Sequence, residues 1–93
     1  MKYNRYTLGK LEEIFKQLGY KVRYEKGQFQ SGYCIVEHKK VVVVNKFFEV
    51  EGRIHILLDI LSEIQVDPNV LDEKMRAFYR KVMHSQSNLQ EEE

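Results

Sequence analysis

The sequence predicts an α+β domain: a helix, a three-stranded antiparallel meander and two further helices, in the order α-β-β-β-α-α. Three observations carry that prediction. The first is Val41-Val42-Val43-Val44, a run of β-branched residues that are stiff at χ1 and favour extended backbone. The second is a set of stretches with helical periodicity on either side of it. The third is the shortness of the connections between strand-like runs, which is what hairpins use. Successive strand side chains point to opposite faces, so four apolar residues in a row ask for cover on both. That makes Val41–Val44 a central strand.

The first helix is expected over Thr7–Leu18. Thr7 is the expected N-cap, Leu8, Leu11, Ile14, Phe15 and Leu18 form one apolar stripe, and Gly19 falls where a left-handed residue ends a helix. Tyr20 to Lys26 alternates, with Tyr20, Val22 and Tyr24 on one face, the pattern of a half-buried strand. Gly27 to Gly32 turns the chain. Tyr33–Glu37 and Val41–Asn45 are the second and third strands, joined at hairpin length through His38. A connection carrying Phe47 and Phe48 leads to a second helix over Glu51–Ile64, apolar around most of its circumference and therefore the best-buried helix. Asp67 and Pro68 stand as cap and first residue of a third helix running from Asn69 to His84. Its stripe of Leu71, Met75, Phe78, Tyr79, Val82 and Met83 has two candidate homes, its own domain or a second copy in a homodimer. Residues 1–86 form the domain, and 87–93, ending in three Glu, read as a disordered acidic tail.

Ninety-three residues, 43% apolar and 31% charged, suit one soluble globular core. A net charge of +1 argues neither for nucleic acid nor for an anionic membrane. No apolar stretch is long enough to span a bilayer. A single cysteine excludes an internal disulfide, and with no signal-peptide pattern the chain reads as cytoplasmic.

Chemistry is sparse. His38, His55 and His84 are not spaced as metal ligands with one another or with Cys34, so no metal and no cofactor are expected. His55 and Asp59 are i,i+4 neighbours suited to pairing. Cys34, inside a strand, reads as a small buried apolar residue rather than a nucleophile. Gly27 and Gly32 lack the strand–loop–helix setting of a phosphate loop. The one candidate binding surface is basic: Lys21, Arg23, Lys39, Lys40 and Lys46, with Lys26, at strand edges and turns, interleaved with Tyr20, Tyr24, Phe29, Tyr33, Phe47 and Phe48. The competing reading is a solvated rim around an aromatic core.

Two resemblances bear on function. The order helix–three strands–helix over residues 7–64 is similar to a double-stranded-RNA-binding domain. That family opens its second helix with a Lys-Lys-x-Ala-Lys-like cluster, whereas Glu49-Val50-Glu51-Gly52-Arg53 here is net acidic. The stretch Gly32 to Asn45, with a helix opening near Arg53, resembles the core of ImmA/IrrE-type zincin metallopeptidases. The His-Glu-x-x-His motif of that family falls on Leu58-Asp59-Ile60-Leu61-Ser62, so Leu58 and Ser62 stand at the zinc-ligand positions and Asp59 at the general-base position. Without both histidines no catalytic zinc is held, and the resemblance implies a degenerate, non-catalytic relative. The expected function is accordingly non-enzymatic: protein interaction or assembly, with a nucleic-acid-binding module as the alternative.

Overall fold

The computed structural model describes residues 2–36 and 38–91, and of Ile35, Val36 and residues 85–91 the backbone alone. The elements follow the expected order: α1 (Arg5–Gln17), β1 (Tyr20–Glu25), β2 (Gly32–Val36), β3 (Lys39–Asn45), α2 (Val50–Glu63), a 3₁₀ turn (Pro68–Val70) and α3 (Glu73–Glu91). The cap of α1 is Asn4 and not Thr7: the Thr7 amide donates to Asn4 Oδ1 at 3.0 Å, while the Thr7 hydroxyl turns back to the Lys2 carbonyl. At the other end Gly19 takes φ +90°, the left-handed conformation that stops a helix.

β3 is the central strand, as its four valines require, but the sheet is not a meander. The strand order is β1-β3-β2, with β1 parallel and β2 antiparallel to β3. The connection after β1, residues 26–31, passes the end of β3 and delivers β2 to the far edge. The parallel β1–β3 crossover is thus made by β2 and its turns, about the dozen residues such a connection needs. Strand composition fits this order. β1 alternates Lys21, Arg23 and Glu25 with apolar residues and tolerates an edge, whereas Val41–Val44 does not.

Cover on both faces of β3 is also not what forms. Val42 and Val44 are fully buried, but Val41 and Val43 are only half-buried. α1 packs on β1, α2 on β2 and β3, and the two helices on each other, all on the Val42/Val44 side. Register places Lys21, Arg23, Val41, Val43, Cys34 and Lys39 together on the other face. Cys34 is therefore exposed, not buried. A chain of this size has apolar residues for one core, and the helices spend theirs on a single face.

α2 is the buried helix expected: Ile54, Leu57, Leu58, Ile60 and Leu61 all lie in the core. Asp67 and Pro68 do start a helical turn, but it is the 3₁₀ segment; α3 begins after Asp72, whose carboxylate accepts from the Met75 amide at 2.8 Å. The α3 stripe is buried within this chain, with Leu71, Met75, Phe78 and Val82 in the core and Tyr79 and Met83 packed against it. Of its two candidate homes it takes its own domain. A reciprocal pair fixes the join: Gln17 Nε2 donates to Asp72 Oδ2 and the Asp72 amide donates to Gln17 Oε1, both at 2.9 Å. α3 passes the expected end at His84 and runs to Glu91; of the expected tail, residues 92 and 93 lie outside the described residues. Among the described residues no helix is long and apolar enough to cross a membrane.

Candidate functional site

The most constructed surface feature grows from Asn45, the polar residue that ends the valine run. Asn45 is 8% exposed, and its side chain links the two loops at that end of the sheet. Nδ2 donates to the Gly27 carbonyl at 2.8 Å, and Oδ1 accepts from the Phe47 amide at 3.1 Å. Its own amide donates to Ser31 Oγ at 2.8 Å. The turn between β3 and α2 is then tied from the helix side. Arg53 Nε donates to the Phe48 carbonyl at 2.8 Å and Nη2 to the Lys46 carbonyl at 3.0 Å. The Arg53 guanidinium also lies over the Tyr24 ring, 4.8 Å from its centroid.

Tyr24 continues the support. Its hydroxyl donates to the Glu12 carboxylate, joining β1 to α1. Burial pushes the Tyr24 phenol well above its usual range; the bond to Glu12 and the Glu12 charge add to this, and the Arg53 charge opposes it. A continuous set of contacts therefore runs from α1 through β1 to the backbone of the 46–49 turn.

What this scaffold holds out is aromatic. Phe47 is 70% exposed and Phe48 45% exposed. The Phe48 ring leans over the first turn of α2, where a Cβ on Gly52 would come within 3.1 Å of it; glycine leaves that space. Phe48 stands between two depressions. On one side is an open cleft of about 840 Å³, bounded by Tyr3, Asn4, Arg5 and Leu8 opposite the turn. On the other is a smaller groove of about 400 Å³ that includes Phe29, Ser31 and Asp59.

The basic residues expected to form one surface are dispersed. Lys21, Arg23 and Lys39 lie on the uncovered sheet face, where Arg23 pairs with Glu25 at 2.7 Å. Lys40 is on the helix side, its ammonium 5.5 Å from the Tyr20 ring centroid. Lys46 alone reaches the aromatic turn. His55 turns to Tyr3, ring centroids 4.8 Å apart and edge-on, and not to Asp59. Among the described residues, no three His, Cys, Asp or Glu side chains converge in a way that could hold a metal.

Sequence reasoning marked Phe47 and Phe48 only as members of an aromatic set and passed over Asn45 and Arg53. A usable signal was there: a polar residue closing a valine run, then two adjacent aromatics in a short connection with an arginine one helical turn beyond. No protein-family model, no curated protein and no solved structure matches the chain.

Proposed function

We propose that this chain is a non-enzymatic interaction domain that docks a protein partner, a second copy of itself included, on the Phe47–Phe48 turn and the cleft beside it. The observation that carries this reading is the combination of exposure and restraint. Exposed aromatics are ordinary on a mobile loop, but here the backbone that bears them is fixed by Asn45 and Arg53. Large side chains held in place before binding lose little freedom on association, which is how binding hot spots are built. The α2 positions that the zincin resemblance aligns with His-Glu-x-x-His have other roles in this reading: Leu58 is core, and the exposed Ser62 hydroxyl donates to the Asp59 carbonyl.

The test is affinity capture from source-cell lysate with the native chain and with Phe47→Ser, after nuclease treatment, together with light scattering over a dilution series. A protein retained by the native chain and lost with the variant, or a dimer that Phe47→Ser dissociates, supports the reading. Identical captured sets and a monomer throughout overturn it.

A further inference from the structure

A second surface, away from the aromatic turn, is defined by charge. The groove between the start of α1 and the first half of α3 has a volume of about 360 Å³, and Lys2, Lys10, Lys74 and Lys81 line it together with Tyr6 and Phe78. No acidic side chain lines it. Among the described residues the only ion pair is Arg23–Glu25, so none of these four ammonium groups is in a salt bridge, and the Asp72 carboxylate near Lys74 lies outside the groove lining. In a chain of net charge +1, such a local concentration of one sign makes a positive patch that favours an anion. Sequence spacing explains how it forms. Tyr6 and Lys10 are one helical turn apart on α1, and Lys74, Ala77, Phe78 and Lys81 follow the i, i+3, i+4, i+7 rule on α3.

We infer that this groove binds a single strand of nucleic acid, with phosphates on Lys2, Lys10, Lys74 and Lys81 and a base stacked on Tyr6. Three observations select that occupant. First, Lys74 and Lys81 are two helical turns apart, about 10 Å along the axis, so they present a row of charges instead of converging on one phosphate. Second, every cation in the groove is lysine, a flexible point charge that meets a phosphodiester oxygen without requiring the fixed two-pronged geometry of an arginine fork. Third, Tyr6 is 61% exposed and borders the charged row. The Lys10 ammonium lies 5.1 Å from the Tyr6 centroid and 4.3 Å from that of Phe78, which sets a positive charge against a largely exposed aromatic ring. Cationic groove plus stacking platform is the general design of single-strand binders. This inference does not rest on the aromatic-turn reading, and the two surfaces share no residue.

The experiment is fluorescence anisotropy with the full chain and labelled oligothymidylate and oligouridylate of about 12 nucleotides. Four phosphate contacts give a slope of log K against log salt of about −3, so affinity falls about 50-fold between roughly 50 and 200 mM salt. Lys74→Glu with Lys81→Glu halves that slope and weakens binding by more than about tenfold. Tyr6→Ala weakens it about tenfold, while Tyr6→Phe, which keeps the ring, binds as the native chain does. Lys21→Glu with Lys39→Glu, the same charge change on the open sheet face, leaves binding within about twofold. Thermal melts establish that each variant is folded, and Lys74→Ala with Lys81→Ala serves if charge reversal disturbs α3. Oligonucleotide binding that is insensitive to salt, or equally weakened by the sheet-face pair, overturns the inference. So does tighter binding of polyglutamate, or of phosphatidylserine vesicles, than of either oligonucleotide.

Discussion

Asn45→Ala tests whether one buried amide holds the aromatic turn. The substitution removes two well-formed hydrogen bonds, to the Gly27 carbonyl at 2.8 Å and from the Phe47 amide at 3.1 Å; the third contact, to the Phe29 carbonyl at 3.5 Å, is too long to add much. Each good bond contributes about 0.5–1.5 kcal/mol net. The Phe47 amide sits in an exposed turn and regains water, so the full desolvation penalty falls only on the half-buried side at Gly27. The expected loss is about 2 kcal/mol, equivalent to a fall in Tm of roughly 10 °C for a chain of this length. Asn45→Asp is the sharper variant. It keeps the acceptor for Phe47 but sets a carboxylate oxygen against the Gly27 carbonyl, where a donor stood. Burial and that opposed carbonyl raise the folded-state pKa of the introduced acid. A raised pKa contributes stability below the unfolded value, lost as pH rises through the folded one. Asn45→Asp is thus less stable than Asn45→Ala at neutral pH and recovers toward pH 4. Urea unfolding at both pH values measures this. Unfolding free energies within about 0.5 kcal/mol of the native chain for both variants at neutral pH would refute the assignment of Asn45 as the tie between the two loops.

Leu57 is fully buried on α2, and Leu57→Ala is expected to cost about 2–5 kcal/mol in chemical denaturation; an unchanged midpoint would mean that this face of α2 is not core. The Asp72 carboxyl is held below its usual range by the Met75 amide, with the Gln17 amide assisting. A lowered pKa contributes stability above the unfolded value near 3.9, lost as pH falls through the folded one. Asp72→Asn should therefore flatten the acid limb of the native stability profile below about pH 4, and profiles that stay parallel there would dissociate the cap from acid unfolding.

Legibility divided along physical lines. Local signals held: Gly19 as a helix stop, and an α2 apolar over most of its circumference and buried; Asp67-Pro68 marked a helical start, but of a 3₁₀ turn and not of α3. The valine run marked the central strand because a central position is a property of one strand's own side chains. Strand pairing was not legible, because residues 26–31 have a length that either closes a hairpin or steps over a neighbour, and nothing local separates the two. One-sided cover of β3 was not legible either, since it depends on how many helices remain to cover a second face. Aromatics misled in the same way. Phe47 looks like core by composition and is 70% exposed because the turn's hydrogen bonds, made by Asn45 and Arg53, aim it outward. The lysine row was readable as periodicity on α3, but only folding brings Lys2 and Lys10 across from it.

The parallel pairing of β1 with β3 has a consequence for the order in which the chain can be assembled during synthesis. β1 leaves the ribosome first among the strands, yet its only neighbour in the sheet is the last to be made, with partners such as Tyr20 and Lys40 widely separated along the chain. Adding strands in order of appearance cannot build this sheet. β2 and β3 are adjacent in sequence and close locally as a hairpin on a microsecond scale. Until then Tyr20, Val22 and Tyr24 can shelter only against α1, through Phe15 to Tyr20 and Glu12 to Tyr24. The contacts of the N-terminal helix with its strand are thus local in the chain, whereas every backbone bond of that strand to the sheet is long-range.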